Sequence, residues 1–356
     1  MDSPTLKQYA MNSGEGQHSY VKNSSYQRGV VDVAKSIIEE EIAKKLDKQV
    51  VSCMNSFCIA DYGCSTGHNS FPVMKIITQA ITKKISTEAD SKNEFFVFFN
   101  DNVTNDFNTL FRSLSVLPEY NSYYNAVGLP GDFHNRLLPK SSLHFAYCAW
   151  SLHWLKEAPT TISNKGALLY SGNRKDQVYD AYLYQFSKDL GSFLDARAHE
   201  LVNGGLMTLI IPTVPSFWDP QKEYTLTCDV NLVGSCIIDM AKKGIIDEAK
   251  VDAFNLPFYL ATPEELKTII DNNNNYSIER LEILNNPGMH TLPSVSARAA
   301  FFRAVMEKLI ADQFGSEIID ELFDRYMKKL AASLILVNSD NNKTTITLIV
   351  LKRKVT

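Results

Sequence analysis

The chain has 356 residues, 45% of them hydrophobic, enough to bury a large core as one long domain or one domain with a cap. A formal net charge of −4 with interspersed acids and bases excludes a basic nucleic-acid footprint. Six cysteines, at 53, 58, 64, 148, 228 and 236, form no CxxC pair and no zinc spacing, so they read as thiols of a reducing compartment. The first residues are polar and no apolar run reaches membrane-spanning length, so the expectation is a soluble, cytoplasmic protein with no nucleic-acid or membrane partner.

A helix is expected over Val30–Leu46, where Val30, Val33, Ala34, Ile37, Ile38, Ile42 and Leu46 recur at close to the helical period. Glu39–Glu41 and Lys44–Lys45 fit its solvated face. Phe57–Asp61 reads as a short buried strand and Phe71–Ile85 as the helix after it. Glu94–Asp101 and Ser142–Ser151 read as further buried strands. A long amphipathic helix is expected over Asp176–Val202, ended by Gly204–Gly205, with a strand over Gly204–Pro212. Strands that alternate with helices and are apolar throughout predict a mostly parallel α/β sheet covered on both faces. After Pro212 the pattern turns helical. That predicts a helical cap over 216–333, inserted before a last strand at Thr344–Lys354 that follows the polar loop Asn338–Lys343. The α/β domain then comprises 1–215 and 334–356.

The stretch ADYGCSTGHN, Ala60–Asn69, lies where the first strand meets its helix. Glycines there let backbone approach a ligand, and the helix N-terminus favours anionic groups. The second strand ends in Asp101, whose carboxylate can accept from the two hydroxyls of a ribose. The spacing is not GxGxxG, so it points to S-adenosylmethionine rather than to a dinucleotide.

Further stretches carry a resemblance: SYVKNSSYQR (19–28), IADYGCSTGHNS (59–70), FFNDNVTNDFNTLFRSL (98–114), GLPGDFHNRLLPKSSLHF (128–145), SLHWL (151–155), NKG (164–166), ARAHELVNGGLM (196–207) and VDAFNLPFY (251–259). In this order they resemble the plant SABATH methyltransferases over nearly the whole chain. Members of that family methylate the carboxylates of small acids or the nitrogens of purine alkaloids. The resemblance implies a Rossmann-like α/β fold, S-adenosyl-L-methionine as cofactor, a small carboxylic acid as acceptor and a homodimer.

It also implies site residues. Asp61, Gly63, Cys64 and Asn69 would hold the methionine end of the cofactor, with Tyr20 and Ser24 closing over it. Asp101 would hold the ribose. Asn102, Asp132, Phe133 and Cys148 complete the cofactor set. Gln27 and Trp154 would hold the acceptor carboxylate, with His153 beside them, and Trp150, Val230, Tyr259 and Phe302 would line the acceptor pocket. Asn164, Asp252, the carbonyl of Phe254 and Asn255 match a Mg2+ position, and all offer oxygen to a hard cation. Taken singly, Trp154 reads as a core aromatic, His153 as an interior histidine and Gln27 as unremarkable; their shared positions in the family pattern give them the functional reading.

A carboxylate is already ionised at neutral pH, so methylating it needs alignment rather than a base. A nitrogen acceptor must lose a proton, and His153 would then be the candidate base. Four positions depart from the family pattern: Asn12, His68, Asp132 and Trp150. In the expected cap, Asp229, Val230 and Asn231 predict a polar or cationic acceptor.

Overall fold

The computed structural model describes residues 10–47, 50, 56–86, 94–159, 168, 177–217, 226–333 and 343–355. Its strands are β1 (Ser56–Tyr62), β2 (Glu94–Asp101), β3 (Asn125–Pro130), β4 (Leu143–Ala149), β5 (Leu201–Thr213), β6 (Tyr276–Leu284) and β7 (Thr345–Arg353). They form one sheet in the order β3-β2-β1-β4-β5-β7-β6, with β1 to β5 parallel and β7 antiparallel to both neighbours. The chain leaves β1 toward β2 and β3, then returns to β4 on the other side of β1. The crevice beyond the carboxyl ends of β1 and β4 is therefore the topological switch point, where ligands bind in open α/β sheets.

The central strands are apolar because both faces are covered. In β4, Leu143 to Cys148 are all buried, and in β7 Ile346 to Leu351 are all buried. The Ser25–Lys45 helix turns Val30, Val31, Ala34, Ile37, Ile38 and Ile42 inward, and its last-turn Lys44 and Lys45 complement the helix dipole. The Ser70–Ser86 helix packs beside it. The Pro263–Asn272 helix opens with proline in its first turn and a Thr262–Glu265 capping box. Gly315, at φ +104°, ends the Val295–Phe314 helix.

Two expectations change. Gly204 and Gly205 do not end the long helix, which spans Gln177–Glu200 and passes straight into β5. Gly204 sits inside that strand at φ +78°, where the register between β4 and β5 shifts from Leu143↔Leu201 to Phe145↔Leu206. The stretch 216–333 is also not wholly a helical cap, because Tyr276–Leu284 is the edge strand of the sheet. Its middle carries Glu279, Arg280 and Glu282, as a half-covered edge tolerates, so it lacks the apolar run of a central strand. The described helices that close the site from above are Leu226–Lys242 and Val295–Phe314, backed by Ile319–Ala332. The expected loop Asn338–Lys343 lies outside the described residues except for Lys343.

Candidate active site

The turn after β1 is built by its own backbone. Gly63 and Gly67 adopt φ +86° and +82°. A Cβ on Gly63 would overlap Ser151, and one on Gly67 would overlap Phe71 and Leu110. The backbone N–H groups of Gly63 and Cys64 donate to the Asn100 carbonyl at 2.8 and 2.9 Å. The Asn100 amide in turn donates to the carbonyls of Leu129 (2.7 Å) and Gly131 (3.0 Å), which ties the ends of β1, β2 and β3 together. Asp101 accepts from the backbone N–H of Ser65 at 2.7 Å and of Asn102 at 2.8 Å.

Asp61, buried, and Asp101, partly buried, face this turn, and among the described residues no cation stands beside them. Burial raises Asp61 to about 7, the charge of Asp101 pushes the same way, and a hydrogen bond from Ser70 opposes both. Among the described residues Asp61 Oδ2 has no partner. Burial likewise lifts Asp101 to about 6 against the two backbone donors. Uncompensated acids at a ligand-sized opening are groups that await a cationic or hydroxyl-bearing partner.

A buried ion pair anchors the loop after β3. Arg197 and Glu200, both fully buried on the long helix, bond at 2.7 Å. Arg197 also donates to the carbonyls of Phe133 (2.8 Å) and Asn135 (2.9 Å). Glu200 accepts from the backbone N–H of Leu138 (2.9 Å) and from the Tyr62 hydroxyl (2.6 Å). The guanidinium lies 4.0 Å over the Tyr62 ring. A pair this buried is tolerated because nearly every lone pair and proton is used.

The segment after β4 starts against the turn, where the Ser151 hydroxyl donates to the Gly63 carbonyl at 3.4 Å. Trp150 is held at φ +58°, which costs on the order of 1–3 kcal/mol for a side chain of this size. Its indole N–H is buried without a partner, and its ring packs edge-on against Tyr26 at 4.9 Å. His153 is 4% exposed, and burial lowers its imidazole to about 3, so the ring is neutral. It sits among the rings of Trp150, Trp154 and Phe258, and its Nδ1 has no partner. A bridge from Trp154 to Phe258 and bonds from Leu155 N–H to the Pro257 carbonyl and Tyr259 N–H to the His153 carbonyl strap this segment down. Gln27 reaches the same space from the Ser25–Lys45 helix, 5% exposed, with Oε1 unpartnered.

These groups line one continuous, partly open cavity. Tyr20, Gln27, Gly63, Asp101, Asn102, Asp132, Phe133, Trp150, His153, Trp154, Val230 and Phe302 all line it. An adjoining smaller cavity is lined by Asp61, Cys64 and Asn69, and shares Tyr20, Gln27, Gly63 and Trp150.

Some expected residues lie elsewhere. Ser24 is buried, and its carbonyl accepts from the Asn69 amide at 3.4 Å. Cys148 is buried within β4, outside both cavities. Tyr259 packs on Phe186 at 5.1 Å and donates to Glu265, away from the acceptor space. Among the departures from the family pattern, Asn12 docks the N-terminal segment on the Val295–Phe314 helix through its N–H to the Ala304 carbonyl at 3.0 Å. His68 is half-buried and outside both cavities.

The expected polar acceptor wall is corrected. Asp229 is fully buried and bonds to Arg298 (3.0 Å) and the Tyr326 hydroxyl (2.7 Å), holding the cap helices together. Asn231 is exposed. The side chains turned to the cavity are instead apolar: Leu226, Val230, Phe258, Phe301, Phe302 and Met306. Most of these escape sequence reasoning, because helical periodicity marks a buried face without saying which part of it lines a cavity.

The Mg2+ set is incomplete among the described residues. Asn164 lies outside the described residues. Asp252 is exposed, and the Asn255 amide donates to the Pro159 carbonyl at 3.0 Å. Among the described residues no cluster of three His, Cys, Asp or Glu side chains is placed to hold a metal.

Residues 6–354 match the family described as SAM dependent carboxyl methyltransferase. The chain is 40% identical to a loganic acid O-methyltransferase from Catharanthus roseus, over 98% of this chain and 95% of that protein. A solved structure of loganic acid methyltransferase with SAH superimposes with a TM-score of 0.91 at 40% identity, covering 97% of this chain and 99% of that one. A 3,7-dimethylxanthine N-methyltransferase from Camellia sinensis var. assamica is 33% identical over 96% of this chain and 95% of its own length. The glycine turn, the acids at the ends of β1 and β2 and the full-length match agree: the chain belongs to the SABATH family of S-adenosylmethionine-dependent carboxyl methyltransferases.

Proposed function

We propose that this enzyme methylates the carboxylate of a small plant metabolite acid with an apolar body, giving a methyl ester. The observation that carries this reading is the polar end of the acceptor space. Gln27, Trp150, His153 and Trp154 meet there, all uncharged. Amide and indole N–H groups are donors suited to a carboxylate. A carboxylate held by neutral donors keeps a lone pair free for attack, whereas a salt bridge would draw its charge away.

S-adenosylmethionine, when bound, supplies an electrophilic methyl group. Asp61 and the 63–69 turn fit its methionine end, and the unpartnered Asp61 Oδ2 suits a cationic amino group. Asp101 fits the ribose hydroxyls, and Phe133 fits a flat base. Gln27 and Trp154 orient the acceptor, and holding two reactants in attack geometry contributes roughly 7–11 kcal/mol. Leu226, Phe302 and Met306 keep water from the reacting oxygen. No step needs a Lewis acid, so magnesium has no part in this chemistry. A homodimer is proposed from the family resemblance and a cytoplasmic setting from the unpaired cysteines; among the described residues no helix is long and apolar enough to cross a membrane.

Nitrogen methylation is the second reading, supported by the similarity to a dimethylxanthine N-methyltransferase. It needs a group to take the departing proton. A buried imidazole with no acid beside it among the described residues is a poor base. The test is transfer of a labelled methyl group to a mixed panel of plant acids, purines and amines, read by mass spectrometry. A labelled product that base hydrolyses supports the ester, and a base-stable product overturns it in favour of nitrogen.

A further inference from the structure

Asp132 begins the loop after β3, on the turn side of the cavity, and Lys156 lies two residues beyond Trp154 on the acceptor side. Lys156 Nζ meets Asp132 Oδ2 at 2.9 Å. The same oxygen accepts from the Asn135 amide at 3.1 Å. Asp132 Oδ1 accepts from the His134 backbone N–H at 3.0 Å and lies 2.7 Å from His134 Nδ1. Four contacts fill a carboxylate's acceptor capacity. Asp132 is therefore already engaged by the protein.

Both ends of this contact are anchored. The Asp132 loop is held from below by Arg197, through the carbonyls of Phe133 and Asn135. The Lys156 backbone N–H donates to Asp189 Oδ2 at 2.9 Å, and Asp189 is itself buried on the long helix. The ion pair links two loops that line one cavity. One carries Phe133 and the other carries Trp154.

We propose that Asp132 and Lys156 form a positioning tie that transmits cofactor occupancy to the acceptor-holding segment 151–156. Filling the Phe133 side fixes the Asp132 loop. Through Lys156 this further steadies the strap that carries Trp154. Neither residue touches the reacting atoms; they act through Trp154. The inference rests on the cofactor side of the site and not on the identity of the acceptor.

The test is hydrogen exchange of the full chain with and without S-adenosylhomocysteine. In the unaltered enzyme, the ligand slows exchange in both 131–138 and 151–158. In Lys156→Met, protection of 131–138 persists while the ligand-induced protection of 151–158 falls roughly tenfold, the scale of one charge-assisted bond. Lys156→Arg restores it. Asp132→Asn reads the same tie from the other side and serves if Lys156→Met fails to fold. Protection of 151–158 that survives unchanged in either variant overturns the proposal. Equal loss at both segments does so too, because it marks simple destabilisation. Failure to find an acid acceptor would not affect these readouts.

Discussion

The two sides of the cavity are built on different principles. The turn side is polar and made largely of backbone: Gly63, Gly67 and the Asn100 amide fix its shape, and Asp61 and Asp101 sit in it with raised affinities for protons. The acceptor side is apolar and made of side chains from distant segments, with neutral donors at its inner end. In the proposed reading, a cationic cofactor meets waiting carboxylates on one side and an anionic acceptor meets N–H groups without a counter-charge on the other, so that backbone fixes what every turnover needs and side chains set what is methylated.

Removing the support of one side gives the largest effect. Arg197→Ala leaves Glu200 charged and buried, which costs about 3–5 kcal/mol. Calorimetric melting will show a large fall in Tm, and cofactor binding will weaken with the Phe133 loop.

Gly63→Ala strikes the turn itself. It forces a Cβ onto Ser151 at a positive φ. The strain costs on the order of 1–2 kcal/mol before the clash. Titration calorimetry should find S-adenosylhomocysteine at least about tenfold weaker.

The raised acids predict a smaller, pH-dependent effect. Asp61 is raised above its unfolded value, so its contribution to the free enzyme's stability is present below about pH 4 and lost as pH rises through about 7. A cofactor whose cation needs the ionised form regains it, so its affinity should rise roughly tenfold from pH 6 to pH 8. Asp61→Asn should flatten that slope.

The smallest effect is expected at His153. If it only donates or shapes the pocket, His153→Asn lowers kcat/KM for the acid by less than about tenfold. The substitution removes no limb from the pH profile of the reaction. A limb of the parent enzyme that His153→Asn abolishes would make His153 a base.

The turn side was legible in the sequence because its signals are local. ADYGCSTGHN carries both glycines and Asp61, and FFND ends in Asp101. Central strands read well because burial on two faces leaves an unbroken apolar run. β3 and β6 do not: Asn125–Pro130 and Tyr276–Leu284 are half-covered and carry no such run. The acceptor wall was misread because Asp229 looks like a pocket residue until its partners Arg298 and Tyr326, 69 and 97 positions away, are brought to it. The ion pair of Asp132 was not legible for the same reason, since its cation Lys156 follows a strand later.

The most direct measurement pairs two variants in two assays. Trp154→Ala should lose on the order of 100-fold in kcat/KM for the acid acceptor while binding S-adenosylhomocysteine nearly as well as the parent. Asp101→Ala should weaken S-adenosylhomocysteine roughly tenfold and, at saturating cofactor, leave the acceptor KM nearly unchanged. Two variants that fail alike in both assays, or a fully active Trp154→Ala, would contradict the division of the cavity into a cofactor side and a carboxylate-holding side.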